Sequence, residues 1–182
     1  MNFDLTEEQK AVRDTVAAFA AREIAPHAGE WDRGHVFPID LFAKVAAIGI
    51  MGMSVSERYG GAALDAISTV LAIEELSKAD AGVGVTVSVH AGLTSRIIER
   101  FGSEGLKRTY LPKMCNGEWL GGFALTEADS GSDASSLRTR AVRQGDSYVL
   151  DGTKQWVTNM GYAKCVVVFA RTGGPGPKGI SA

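Results

Sequence analysis

The sequence predicts a mainly α-helical fold, in which a helical bundle over residues 1–118 precedes a strand-rich part over residues 119–182. Proline is absent between Pro38 and Pro112, which leaves a long stretch free to be helical. Half of the 22 glycines fall after residue 110, where short β-branched runs replace the helical spacing. The 182 residues therefore suffice for one domain and part of another.

Five helices are predicted from apolar spacing and from end signals. Thr6 can cap the first, because Gln9 stands at the spacing of a capping box, and Pro26 is expected to stop it. The third is expected to bury Val70 among its apolar side chains. The second to fifth helices are predicted at about residues 38–49, 65–78, 82–101 and 103–112, the last ending at Pro112.

Strands are predicted after Trp119, where alternation and turn dipeptides become frequent. Gly145-Asp146 is typical of a tight turn, and Asp151-Gly152 is a strong hairpin signal. The predicted strands are Leu137–Arg143, Tyr148–Leu150, Gln155–Val157, Cys165–Ala170 and one that begins at Ile180.

Composition excludes several classes of protein. With 45% apolar residues, 22% charged residues and a net charge of −2, the chain has no basic footprint for nucleic acid. No uncharged run reaches the ~20 apolar residues that a membrane helix needs. The N-terminus shows no targeting segment, which favours the cytoplasm of a bacterium. Cys115 and Cys165 form no CxxC pair and are expected to be reduced, buried thiols of an intracellular protein.

The stretch from Gly121 to Asp133 concentrates small residues, hydroxyls and carboxylates. Small residues let a backbone approach a ligand closely, and hydroxyls with free N–H groups can bind phosphate or ring carbonyls. A solvated turn-rich loop is the plainer interpretation. A metal site from Glu127, Asp129 and Asp133 is not expected, because the order of acids in a calcium loop is not met.

Histidine and glycine motifs give no further catalytic signal. His27, His35 and His90 are scattered along the chain, and no GxSxG, HExxH or complete GxGxxG is present. Taken alone, Trp156 in the segment KQWVTN is more typical of a packing aromatic than of a ligand contact.

The order of several motifs resembles that of the acyl-CoA dehydrogenase family. ALTEADSGSD is followed by GDSYVLDG and then by KQWVTN. The resemblance continues upstream in SERYGGAALD, in IEELSKADAGVGVTVSVHAGL and in FGSEGLKRTYLPKMCNGEW, so it covers essentially the whole chain. Within the family the sequence is most similar to the short-chain enzymes.

The resemblance implies a fold and a reaction. It implies an N-terminal helical domain over residues 1–118, followed over residues 119–182 by the opening strands of an antiparallel β-barrel domain, which is incomplete. The expected reaction is FAD-dependent α,β-dehydrogenation of an acyl-CoA thioester to the trans-2-enoyl-CoA, with electrons passed to an electron-transfer flavoprotein. The full-length protein is expected to be a homotetramer. Because the family's glutamate base falls beyond Ala182, this chain alone is expected to be inactive, and Glu127 is not that base.

The resemblance also implies roles for individual residues. Leu125 and Thr126 would bond the pyrimidine edge of the flavin, Trp156 would lie against the ring, and Thr158 would bond near its N5 atom. Ser132 would reach both the pyrophosphate and the acyl-CoA. The full FAD set is Phe123, Ala124, Leu125, Thr126, Gly131, Ser132, Trp156, Val157 and Thr158, and the substrate set is Ser132, Val89 and His90.

Two alternatives to a dehydrogenase stay open from the sequence. An acyl-CoA oxidase would share the fold but return its electrons to oxygen. A non-catalytic acyl-CoA-binding helical module would keep the substrate surface without flavin. The chain departs from the family at Ala128-Asp129, where a proline usually follows the glutamate. An exposed Asp129 is tolerable there, since a charge pair ~4 Å apart in water is worth only ~1 kcal/mol.

Overall fold

The computed structural model describes residues 3–182, and helices dominate up to residue 115. The helices of this part are α1 (Glu7–Glu23), α2 (Ala25–Gly34), α3 (Leu41–Ala47), α4 (Ala66–Ala79), α5 (Ala81–Val87), a π-helical segment (Ser88–Ser95), α6 (Arg96–Phe101) and α7 (Glu104–Cys115). The predicted fold class, a mainly helical chain with a few strands at its end, is confirmed.

The first helix begins as predicted but is followed at once by another. The Thr6 hydroxyl accepts a bond from the Gln9 N–H, and the Gln9 side chain accepts one from the Thr6 N–H, which completes the capping box. Helix α1 ends at Glu23, just before Pro26 as predicted, but no sequence signal predicted α2, in whose first turn Pro26 lies. Proline fits there since the first N–H groups of a helix need no intrahelical acceptor.

Helix α4 starts at the predicted place, but one of its predicted core residues is exposed. The Asp65 carboxylate accepts bonds from the Ile67 and Ser68 N–H groups and so caps the helix. Ser68, Ala72 and Leu76 face the core, as α4 packs against α1. The expectation that Val70 is buried is wrong, because this packing leaves its side chain 64% exposed.

The predicted fourth helix is continuous in space but changes its winding. Residues 88–95 form a π-helical segment between α5 and α6. The Ser95 hydroxyl donates to the His90 carbonyl five residues earlier, which suits the wider turn of this segment. Helix α7 begins where it was predicted, with Ser103 as its N-cap, but continues past Pro112 to Cys115, so the predicted end was wrong. Pro112 is exposed, and water can satisfy the carbonyl that loses its donor.

One large apolar cluster holds the helices together. It joins side chains of α1, α3, α4 and α5, among them Val16, Phe19, Phe42, Leu76 and Val87. A smaller cluster lies under the segment after α3, where Val55 and Tyr59 pack against Leu111 and Cys115 of α7. No helix within residues 3–182 is long and apolar enough to cross a bilayer.

The strands form two small open sheets. They are β1 (Gly121–Ala124), β2 (Arg140–Gln144), β3 (Ser147–Asp151), β4 (Cys165–Val168), β5 (Ala170–Arg171) and β6 (Ile180–Ser181). Strand β1 pairs with β4 in parallel, and the second sheet has the order β3-β2-β5-β6. The pairing is mixed rather than purely antiparallel, since β2 also pairs with β5 in parallel. These described strands close no barrel.

Three strand predictions have different outcomes. The Gly145-Asp146 turn joins β2 to β3 as predicted, with Gly145 at a φ of 62°. A strand does begin at Ile180. The predicted hairpin at Asp151-Gly152 and the strand over residues 155–157 are wrong, because this segment is an irregular loop held by side chains rather than by a strand ladder.

Candidate functional site

Strand β1 is fixed against the helical part by buried polar contacts. The Gly121 N–H donates to His90 Nδ1 at 2.9 Å, and the Thr94 hydroxyl donates to the Gly122 carbonyl at 2.9 Å. A Cβ on Gly121 would lie 2.7 Å from the Met114 methyl carbon and 2.9 Å from Thr94. Glycine at this position therefore allows the strand to approach the π-helical segment closely enough for both bonds.

The chain turns sharply just after β1. Backbone bonds of 3.0 and 3.2 Å join Glu127 and Ser130 in both directions, so Ala128 and Asp129 form an exposed turn. Asp129 is 73% exposed and lies 3.4 Å from an Arg138 guanidinium nitrogen. The extra carboxylate at the departure from the family pattern thus points to solvent, where its electrostatic cost is small.

The Glu127 carboxylate is the buried polar centre of the site. It accepts bonds from the Arg138 N–H at 2.6 Å, from the Thr139 N–H at 2.9 Å and from the Lys154 ammonium at 2.8 Å. The Lys154 ammonium also donates to the Leu125 carbonyl at 2.8 Å. Burial alone would raise the pKa of Glu127, but the Lys154 and backbone bonds outweigh it and lower the pKa to about 2.

We call residues 154–159, which begin with the lysine that bonds Glu127, the Trp156 loop. The Gln155 N–H donates to the Thr126 carbonyl at 2.8 Å and so ties the loop to the end of β1. Trp156 has a φ of 57° and a side chain that is 88% exposed. The interpretation of Trp156 as a packing aromatic is therefore wrong within this chain, since its indole faces solvent.

Asn159 anchors the other end of the Trp156 loop. Its side-chain amide donates to the Gly121 carbonyl at 2.9 Å and to the Thr86 carbonyl at 3.1 Å, so it joins β1 to α5. Its own backbone has a φ of 70°, a conformation that asparagine tolerates better than most residues. The loop is thus held at both ends while Trp156, Val157 and Thr158 lie between the anchors.

A cavity of about 750 Å³ opens beside Thr158 and Asn159. Trp31, Phe37 and Phe42 supply apolar wall, and Thr86 comes from α5. Phe37 stacks on the Tyr162 ring with centroids 4.3 Å apart, which stiffens this wall. The volume falls in the range of ordinary small-molecule sites.

The remaining residues assigned to FAD lie along β1 and its following turn. Phe123 and Leu125 are half-buried, Ala124 is buried, and Phe123 packs on Phe169 at 5.3 Å between ring centroids. Gly131 and Ser132 are exposed, and a Cβ on Gly131 would meet open space. Asp133 caps the short helical turn that follows by accepting from Ser135 and Ser136.

The two substrate residues predicted on the π-helical segment have different environments. Val89 is half-buried. His90 is fully buried, and its Nε2 donates to the Met114 carbonyl at 3.2 Å while Nδ1 accepts from Gly121. Burial lowers the pKa of His90 to about 4 and keeps the ring neutral. This placement gives His90 a structural role, and a contact with an acyl group stays a prediction that the burial does not favour.

Several donors of the assigned site residues have no hydrogen-bond partner within the described residues. Within residues 3–182, the hydroxyls of Thr126, Ser132 and Thr158 make no hydrogen bond, and neither do the backbone N–H groups of Thr126, Trp156 and Thr158. The exposed indole of Trp156 belongs to the same loop as Thr158, and the Gln155 N–H joins this loop to the Thr126 carbonyl. This donor set fits a flat, acceptor-rich ring such as a flavin, which needs hydrogen bonds at its edge and an aromatic contact on its face.

Two anchors of the site were not assigned from sequence. Lys154 and Asn159 were seen only as parts of the KQWVTN motif. A buried carboxylate requires a cation or several donors, and Lys154 is the lysine nearest in sequence to Trp156. That signal could have pointed to the pair with Glu127. No sequence signal pointed to Asn159, since its bonds depend on distant carbonyls.

Comparison with known proteins gives two family matches in chain order. Residues 6–118 match the N-terminal domain of acyl-CoA dehydrogenases, and residues 122–182 match the middle domain. A probable acyl-CoA dehydrogenase of Bacillus subtilis is 44% identical over 95% of this chain and 46% of its own length. The short-chain specific acyl-CoA dehydrogenase of Clostridium acetobutylicum is 42% identical over 100% of this chain and 48% of its own length. The chain spans about half the length of the curated relatives it matches.

Solved structures share the same fold. A chain in the structure of the electron transferring flavoprotein of Acidaminococcus fermentans, from work on flavin-based electron bifurcation, superposes with a TM-score of 0.94 at 41% identity. That match covers 100% of this chain and 48% of the other. An acyl-CoA dehydrogenase of Bacillus anthracis complexed with FAD gives a TM-score of 0.82 at 36% identity, covering 92% and 29% of the two chains.

Proposed function

Because this chain belongs to the acyl-CoA dehydrogenase family, we propose that it carries the flavin-binding region of an FAD-dependent enzyme. The reaction is α,β-dehydrogenation of an acyl-CoA thioester to the trans-2-enoyl-CoA. The observation that carries the proposal is the Trp156 loop, where an exposed indole lies beside unpartnered donors. When bound, FAD supplies the acceptor for the hydride that leaves the β-carbon.

The chain's own residues bind and orient the cofactor in this proposal. The Thr126 hydroxyl and N–H donate at the pyrimidine edge of the flavin, and the Trp156 indole covers one face of the ring. The Thr158 hydroxyl donates near N5. Phe123, Ala124 and Leu125 run along the ring, while Gly131 and Ser132 offer an open backbone and a hydroxyl to the pyrophosphate.

The substrate contacts follow from the cavity beside Thr158. Its apolar wall, with Trp31 and Phe37, can accept a small acyl group and exclude water from the path of the hydride. Val89 and Ser132 stay proposed contacts for the acyl-CoA. A short or branched acyl chain is supported by the similarity to the short-chain specific relative and to an isobutyryl-CoA dehydrogenase of Bos taurus, which is 44% identical.

The proposal also covers the electron acceptor and the oligomeric state of the full-length enzyme. We propose an electron-transfer flavoprotein as acceptor, which the similarity to the Acidaminococcus chain supports, and a homo-oligomer when full length. In an active full-length enzyme, reduction of the electron-transfer flavoprotein without peroxide release is expected. Oxygen uptake with peroxide release would instead establish the oxidase alternative.

Trp156→Ala tests the flavin site directly. The purified chain is expected to bind FAD, measured by quenching of flavin fluorescence, and Trp156→Ala is expected to raise the Kd about tenfold. That factor corresponds to about 1.4 kcal/mol, the scale of one aromatic stacking contact.

Phe101→Ala is the matched control, because Phe101 is also a largely exposed aromatic and lies on α6 rather than at the site. Its Kd for FAD is expected to equal that of the unchanged chain. A colourless protein that binds acyl-CoA but not FAD would refute the proposal and favour the non-catalytic binding module.

A further inference from the structure

Glu127 and Lys154 form an ion pair unlike the others in the described residues. Both side chains are largely buried, at 9% and 10% exposure, whereas each of the other described ion pairs has at least one well-exposed partner. Burying two charges is costly unless they also gain hydrogen bonds. This pair is therefore expected to serve a specific structural purpose.

We propose that the Glu127–Lys154 ion pair is the element that positions the Trp156 loop for flavin binding, so that Glu127 and Lys154 are positioning residues. The inference rests on the proposed function and adds two residues to it. Neither residue would touch the reacting atoms. Their effect would pass through the conformation of residues 155–158.

The contacts of the pair join three segments of chain. Glu127 accepts from the backbone of Arg138 and Thr139, where the chain approaches β2. Lys154 donates both to Glu127 and to the Leu125 carbonyl at the end of β1. The next residue, Gln155, then bonds the Thr126 carbonyl at 2.8 Å. The start of the Trp156 loop is thus held beside β1 by three consecutive polar contacts.

Trp156 itself contributes little to holding the loop. Its left-handed backbone, at a φ of 57°, costs energy for a bulky residue, and its side chain is 88% exposed. A strained conformation without side-chain packing persists only when its neighbours impose it. Asn159 supplies the anchor after Trp156, and the Glu127–Lys154 pair supplies the anchor before it.

The contacts of Glu127 suit a structural acceptor better than a proton-transfer group. Three donors already occupy its two oxygens, and these bonds keep the carboxylate ionised. A general base must reach the proton of a substrate and accept it. Glu127 is instead a fixed acceptor for the surrounding backbone.

The test uses the chain with Trp31→Phe and Trp119→Phe, which leaves Trp156 as the one tryptophan. Lys154→Met removes the ammonium but keeps the length of the side chain, and Glu127→Gln removes the charge of the carboxylate. The control is Asp129→Asn, since Asp129 lies in the same turn but pairs with Arg138 in solvent. The readouts are amide hydrogen exchange at Gln155, the fluorescence anisotropy of Trp156 and, separately, the Kd for FAD.

Lys154→Met and Glu127→Gln are expected to speed exchange of the Gln155 amide at least tenfold and to lower the anisotropy of Trp156, with or without FAD. They are also expected to raise the Kd for FAD at least tenfold, and Lys154→Arg should recover part of each effect. Asp129→Asn should change none of them. Helical circular dichroism should stay unchanged in all variants.

Unchanged Gln155 exchange and Trp156 anisotropy in both variants would overturn the inference. Unfolding of both variants would overturn it as well, because the pair would then support the whole fold rather than the loop. Failure of the unchanged chain to bind FAD would count against the proposed function. The exchange of the Gln155 amide and the anisotropy of Trp156, both measured without FAD, separately test the effect of the ion pair on the loop.

Discussion

His90 shows how one buried side chain connects the two parts of the chain. Its Nδ1 accepts from the Gly121 N–H of β1, so its proton is on Nε2, which donates to the Met114 carbonyl of α7. The ring thus satisfies one donor and one acceptor in a fully buried place. A protonated ring could not accept from Gly121, and its charge would be buried without a counter-ion.

The burial of His90 predicts a loss of stability in mild acid. Its pKa is lowered from 6.5 to about 4, so the unfolded chain binds the proton first as the pH falls. The contribution of the neutral, buried His90 to the free energy of unfolding is complete above pH 6.5 and is lost as the pH falls towards 4. The loss reaches about 3 kcal/mol at the lower end. Urea denaturation between pH 7 and pH 4.5 measures the free energy of unfolding across this window.

His90→Asn should lack this pH-dependent loss, although it is less stable at pH 7. His35→Asn is the control, because His35 is exposed at the end of α2 in a left-handed conformation that asparagine tolerates. It should keep the pH dependence of the unchanged chain. Equal pH slopes for His90→Asn and the unchanged chain would contradict this explanation.

Among the elements, the contact between α4 and α5 depends on the absence of a side chain. Gly84 of α5 lies against Ser77 of α4, where an added Cβ would overlap the Ser77 hydroxyl and lie 2.9 Å from the Ser77 Cβ. The two helices belong to the largest apolar cluster. Their separation is therefore set by this small residue as much as by the apolar side chains around it.

Gly84→Ala is expected to destabilise the fold by about 2 kcal/mol, because overpacking forces the two helices apart. Gly92→Ala is the matched control in the π-helical segment, since a Cβ there meets nothing within 4 Å. Alanine should leave stability unchanged or raise it by up to about 1 kcal/mol at that position. Thermal and urea unfolding measure both variants, and a stable Gly84→Ala protein would show that α4 and α5 can separate at little cost.

At the same scale, local signals predicted helices well and the Trp156 loop poorly. The Thr6 cap acts within a few residues, so the spacing of Thr6 and Gln9 was sufficient to predict it. Asp151-Gly152 carried an equally clear local hairpin signal, yet residues 153–164 form no strand. There the long-range bonds of Lys154 to Leu125 and Glu127 prevail over the local turn preference.

For the whole molecule, the described carboxylates near the site predict an inactive chain. Glu127 is held by three donors, Asp129 lies in solvent beside Arg138, and Asp133 caps a helical turn. None of these three lines the cavity proposed for the acyl group, and Asp80, which does line it, accepts the Val83 N–H as the cap of α5. The purified 182-residue chain with FAD is expected to show no acyl-CoA-dependent reduction of an electron-accepting dye. Dye reduction that is measurably faster with the chain than with free FAD alone would contradict this prediction.

The candidate site was partly predictable from the order of its motifs along the chain. Motif order assigned the stretches around Thr126 and Trp156 to FAD, and the structure brings them together through the bond between Gln155 and the Thr126 carbonyl. Which of their side chains face solvent, and that His90 faces inward, depends on packing against distant segments. Those environments have no signature within a few residues of sequence.

The sequence by itself determined the helical class, the starts of α1, α4 and α7 and the motifs that resemble a flavin site, because caps and apolar periodicity act over a few residues. Only the tertiary structure decided the parallel pairing of β1 with β4, the exposure of Val70 and Trp156, and the buried pair of Glu127 with Lys154. These features join residues that are far apart in the chain. The contacts between these residues become strong only when burial has removed the water that would otherwise separate them.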